Sequence, residues 1–139
     1  KAICISPNDV VVHGIPGAFV VGEGDLVTID VGVTLDGYIA DSAYTFGVGE
    51  IDEESQRLLD VAQDALAAGI AEAVVGNRVG DISHAVQNVV EAGGFSVVRS
   101  LVGHGVDEPD APEPDGWTSH GSSSISCRDG RSCRTAQDC

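Results

Sequence analysis

Basic side chains are the scarcest resource of this 139-residue chain: 7 Lys and Arg stand against 22 Asp and Glu, a formal net charge of −15. Nucleic-acid backbones and anionic membrane surfaces are gripped by clustered Lys and Arg, so neither is expected as a direct partner. The balance suits cationic partners and metal ions instead. Aromatic residues make up only 4% of the chain, so any core must be built from Val, Ile, Leu and Ala. No apolar run approaches the ~18 residues of a membrane-spanning helix, and no signal peptide opens the sequence. A cytoplasmic protein is the expectation. What the chain does have is 42% hydrophobic residues, enough for the core of one ordinary domain.

The apolar residues are unevenly spread. Residues 1–106 hold 15 acidic and 4 basic side chains and nearly all the large aliphatics, whereas residues 107–139 hold 7 acidic and 3 basic and, among Val, Leu, Ile and Phe, only Ile125. A segment that poor in apolar area does not offset its own ordering entropy. The expected organisation is a folded body over 1–106 followed by a disordered tail over 107–139. The body opens directly on Ala2-Ile3-Cys4-Ile5, a strand-like run without a preceding turn, and so reads as part of a larger domain.

Period and punctuation suggest the elements. Val27, Ile29, Val31, Val33 and Leu35 alternate with Thr28, Asp30, Gly32 and Thr34, the two-residue period of a strand. Asp36-Gly37 then gives a strong hairpin signal, because a type I′ turn needs two residues that tolerate positive φ. Residues 38–46 return as the partner strand. From Asp52 the period lengthens: an N-cap and two acids in the first turn precede Leu58, Ala62, Leu66 and Ile70. A second helix is expected from about Asp81 to Ala92, stopped by Gly93-Gly94, and a further strand over 95–102. Strands, then two helices, then a strand make an α+β fold, an antiparallel sheet with helices on one face.

The hairpin carries the chemistry. A two-residue loop pairs Leu35 with Tyr38, so Gly32 faces Asp41 and Ala43 faces Asp30. Asp30 and Asp41 then share a face as diagonal neighbours, roughly 7–8 Å apart. Gly32, Ala40 and Ala43 leave space around them, and no Lys or Arg occurs in the hairpin, so a metal ion is the natural counter-charge. Exposed acids on the wet face of a sheet would show the same parity. His104, between Gly103 and Gly105 at the end of an apolar run, is a candidate nitrogen ligand, although a turn histidine fits the same context. His13, just before Gly14-Ile15-Pro16, is a strand-end residue or a substrate contact, and His84 is expected half-buried on the second helix. Cys127, Cys133 and Cys139 lack the closely spaced pairs of structural zinc sites and read as free or adventitiously oxidised thiols.

In combination these segments resemble the bacterial (type I) methionine aminopeptidases, over residues 2–106. The resemblance runs through Ile3-Cys4-Ile5-Ser6-Pro7-Asn8, the Val11-Val12-His13-Gly14-Ile15-Pro16 turn, the Gly24–Val31 stretch with Asp36-Gly37 and Asp41-Ser42, and finally Gly94–Arg99 with Gly103-His104-Gly105. It implies a pita-bread fold, here incomplete, and removal of the initiator methionine from nascent chains by a metal-activated hydroxide. It also implies two divalent ions of cobalt, manganese, iron or zinc, with Asp30 on one metal, Asp41 bridging both and His104 completing one sphere. His13 would contact substrate near the peptide bond, and Cys4 would line the pocket for the methionine side chain. Nascent peptides with N-terminal Met, met at the ribosome, are the partners the resemblance implies.

The sequence departs from the family pattern after Val106. The family continues with an Arg, a His-Glu-x-Pro segment and two glutamate ligands, whereas here Asp107-Glu108-Pro109-Asp110-Ala111 follows and no His-Glu occurs downstream. Glu108 and Glu113 stand beside prolines, a poor setting for preorganised ligands. With three of five ligands the expectation is at most one weakly bound metal and little turnover by these 139 residues. A proline-specific aminopeptidase or dipeptidase of the same fold, and a non-catalytic binding module on that scaffold, are the competing readings; the His13–Pro16 turn favours the methionine enzyme.

Overall fold

The computed structural model describes residues 3–101, residue 103 and residues 125–127. Three strands, β1 (Ile3–Pro7), β2 (Leu26–Leu35) and β3 (Tyr38–Gly47), form an antiparallel sheet in the order β1-β2-β3. Two helices follow, α1 (Glu53–Glu72) and α2 (Val79–Ala92), and then a separate antiparallel pair, β4 (Phe95–Val97) with β5 (Ile125–Cys127). The class is α+β, as the change of period at Asp52 indicates.

The hairpin forms where the Asp36-Gly37 signal places it. Both residues take positive φ, 50° and 85°, and the register is Leu35↔Tyr38, Gly32↔Asp41 and Asp30↔Ala43. The entry to α1 is equally local. Asp52 accepts the Ser55 N–H at 2.7 Å and the Ser55 hydroxyl at 3.0 Å, which satisfies a helix-start donor with no intrahelical partner. Losing such a cap costs about 1 kcal/mol.

Leu26, Leu58, Leu59, Ala62, Ala65, Val86, Val90 and Phe95 make the core, so the start of β2, both helices and the start of β4 meet in one cluster. Small residues let the helices close. A Cβ on Gly69 would come within 2.9 Å of Val86, and one on Gly93 within 2.7 Å of Val61. Phe95 is the largest fully buried side chain among the described residues, and the Arg57 guanidinium lies 5.2 Å from its ring centre.

Several expectations need correction. The buried stripe of α1 is Ser55, Leu58, Leu59, Ala62, Ala65 and Gly69, whereas Ile70 is 64% exposed. Steps of four residues overshoot a turn of 3.6 by about 40° each, so three steps from Leu58 carry Ile70 about 120° off the core face. The strand expected over 95–102 ends at Val97, because Leu101 N–H bonds Val98 O at 3.1 Å and closes a turn that apolar alternation does not reveal. α2 starts at Val79, two residues before Asp81, since the Asp81 carboxylate accepts the Arg78 N–H at 2.7 Å and so sits inside the first turn as a cap. His84 is exposed rather than half-buried. Of residues 107–139 the structure describes Ile125–Cys127, which pairs with β4, and this leaves the expectation for the tail untested. The remainder of that tail lies outside the described residues.

Candidate metal centre

Register across all three strands builds the face that carries the two aspartates. β1 pairs with β2 as Cys4↔Asp30 and Ser6↔Thr28, and β2 pairs with β3 as Thr28↔Thr45, Asp30↔Ala43 and Gly32↔Asp41. Directly paired residues share a face and the period along each strand is two, so Cys4, Ser6, Thr28, Asp30, Gly32, Asp41 and Thr45 all lie on one side. Successive rows along the face are Ser6–Thr28–Thr45, then Cys4–Asp30–Ala43, then Gly32–Asp41.

The rows differ in depth. Ser6, Thr28 and Thr45 are buried, and the Thr28 and Thr45 hydroxyls bond to each other at 2.9 Å. Cys4 is half-buried with a free thiol, Asp30 is half-buried, and Asp41 is exposed. A Cβ built on Gly32 would meet nothing within 4 Å, so the space beside Asp41 and Asp30 is open. No basic residue occurs in β2, β3 or their turn. Two carboxylates on one face of a sheet whose described strands carry no Lys or Arg are hard-oxygen donors of the kind a divalent cation takes.

The register itself is clasped at one end. Asn8, in the left-handed region at φ 50°, accepts the Leu26 N–H at 3.0 Å on its side-chain oxygen and donates its amide to the Asp25 carboxylate at 2.9 Å. Its own N–H bonds Leu26 O at 2.8 Å. The second Asp25 oxygen accepts the Gly22 N–H at 2.8 Å. A one-residue slip between β1 and β2 would turn Cys4 away from Asp30, and these bonds oppose it.

His13 is not at a strand end. It lies in the loop between β1 and β2, exposed and at φ 57°, and Gly14 beside it docks on the free edge of β1. Of the residues expected at the site, Cys4, Asp30 and Asp41 are thus brought to one face and His13 to the loop along β1. His104 lies outside the described residues, as do Glu108 and Glu113. Among the described residues, no group of three or more His, Cys, Asp or Glu is gathered to hold a metal ion. Sequence reasoning missed the buried hydroxyl row and the Asn8–Asp25 clasp. Thr28 was within reach, two positions before Asp30 on the same parity; the clasp, which links residues 17 and 18 apart, left no local signal.

Residues 1–130 match the model of metallopeptidase family M24. The chain belongs to that family. The match to the M24 model extends past Val106, where the resemblance read from the sequence stops. The chain is 47% identical over 116 residues to the methionine aminopeptidase of Clostridium perfringens, covering 80% of this chain and 47% of that protein. It is 49% identical over 107 residues to methionine aminopeptidase 1 of Bacillus subtilis, covering 77% of this chain and 43% of that protein. It therefore spans less than half the length of these relatives. The crystal structure of the methionine aminopeptidase from Thermotoga maritima superposes with a TM-score of 0.76 at 31% identity, covering 96% of this chain and 66% of that one. The M24 fold, pita-bread in architecture, is present here in part.

Proposed function

We propose that this chain carries the Asp30–Asp41 part of the metal centre of an aminopeptidase that removes N-terminal methionine from nascent proteins in the cytoplasm. The observation that carries the reading is the shared face of Cys4, Asp30 and Asp41, set by a continuous three-strand register. Asp30 and Asp41 would hold a divalent ion of cobalt, manganese, iron or zinc, with His104 as the nitrogen ligand. When bound, such an ion supplies Lewis acidity toward the scissile carbonyl and acidifies a water to a nucleophile at neutral pH. Cys4, one row from the buried hydroxyls, would border the methionine side chain, a soft thiol beside a thioether. His13 would donate or accept a hydrogen bond near the scissile peptide. Two metals, the full ligand count and a meeting with nascent chains at the ribosome belong to the same proposal.

Peptide binding tests it. With zinc present, the tripeptide Met-Ala-Ser should shift the amide resonances of Cys4, His13 and Gly14, and Ala-Pro should leave them in place. Shifts by Ala-Pro alone would favour a proline-specific peptidase, and shifts by neither, with zinc bound, would contradict a substrate role for this face.

A further inference from the structure

Gly14 occupies the place a fourth strand would take. β1 is the edge of its sheet, and its outward-facing Ile5 N–H donates to Gly14 O at 2.8 Å. In return Gly14 donates its own N–H, at 3.1 Å, to the hydroxyl of Ser6 rather than to a backbone carbonyl. The contact is so close that a Cβ on Gly14 would fall 2.1 Å from Ile5 O and 2.9 Å from the Ser6 Cα, so only glycine fits. His13 precedes this contact at φ 57°, a conformation a non-glycine residue keeps only when its surroundings hold it. Of the bonds that fix the turn to β1, the one from Ser6 is the only one made by a side chain among the described residues. Ser6 is 2% exposed and stands two positions from Cys4 on the same face.

We propose that Ser6 is a positioning residue for His13: by accepting the Gly14 N–H, its hydroxyl holds the turn on β1 and keeps His13 in its left-handed conformation. The inference rests on His13 serving as a substrate contact. Without the hydroxyl the Gly14 N–H loses its acceptor, and the bond from Ile5 is left as Gly14's one hydrogen bond to β1 among the described residues. His13 then relaxes toward ordinary negative φ and its ring samples several placements.

The 139-residue chain, labelled with nitrogen-15, allows the two ideas to be separated. In Ser6→Ala the Gly14 amide should exchange with solvent about fivefold to tenfold faster, the worth of one hydrogen bond. The strong intraresidue amide-to-Hα NOE of His13, a mark of positive φ, should weaken, while the Leu26 amide keeps its protection. Ser6→Thr, which retains a hydroxyl, should restore both. With zinc present, Ser6→Ala and His13→Ala should each weaken Met-Ala-Ser binding, and the double variant should bind no more weakly than His13→Ala. Unchanged Gly14 exchange in Ser6→Ala overturns the proposal. So does a fully additive loss in the double variant, or a loss of Leu26 protection showing that the hydroxyl supports the whole sheet. If His13→Ala leaves peptide binding intact, the substrate role of His13 is wrong, and the exchange and NOE data still decide whether Ser6 positions it.

Discussion

Cys4 and Asp30 face each other across the β1–β2 ladder, a directly paired thiol and carboxylate on the face that also carries Asp41. The pairing ties a residue assigned to substrate to one assigned to metal. Side chains of directly paired residues stand about 4.5–5.5 Å apart at Cβ, so an ion held by Asp30 sits within reach of the thiol's surroundings.

That proximity makes Cys4 a reporter of occupancy. Alkylation of Cys4, followed by peptide mass analysis to separate it from Cys127, Cys133 and Cys139, should slow when manganese is added. Asp30→Asn should abolish the slowing without changing the rate in metal-free buffer more than about twofold. Equal slowing in Asp30→Asn would mean that the ion lies elsewhere.

In the row next to Asp30 on the same face, the Thr28 and Thr45 hydroxyls satisfy one another in a buried setting. Replacing either threonine by valine keeps the shape but orphans a buried hydroxyl, at a cost of about 1–3 kcal/mol. The Thr28→Val/Thr45→Val double variant should lose clearly less than the sum of the singles, because both partners then leave together. Urea unfolding of the four proteins checks this, and strict additivity would show that the two hydroxyls act independently.

How far the sequence reveals this fold depends on the range of the interactions involved. The hairpin was legible because a two-residue Asp-Gly turn and a strict period of two fix the register within ten residues on each side. The Asp52 cap of α1 was legible for the same reason, as it acts over three residues. The docking of Gly14 on Ile5 and the bond from Ser6 were not, because they depend on a loop folding back onto a strand edge, and neither residue type advertises that. The left-handed His13 is a consequence of that docking and was equally hidden. The end of β4 at Val97 depends on a turn built from Val98 to Leu101 and on pairing with distant Ile125–Cys127, whereas the run of Phe95 to Val102 looks uniformly strand-like. Family membership came from short motifs in the right order, and those motifs include both aspartates.

The proposed metal centre requires Asp30 and Asp41 to act as ligands and not merely as charges on a chain with 22 acidic residues. Asp36 is the control. It sits in the same hairpin, is exposed like Asp41, and has φ 50°, which asparagine tolerates as well as aspartate. Asp41→Asn and Asp36→Asn each remove one negative charge from the same hairpin. Calorimetric titration with manganese at neutral pH should show affinity falling about tenfold or more in Asp41→Asn, since even an indirect partner of a metal costs about 10–100-fold. Asp36→Asn should stay within about twofold of the unsubstituted chain. Equal losses in the two variants would show that the metal reads net charge alone, and would contradict a site built on Asp30 and Asp41.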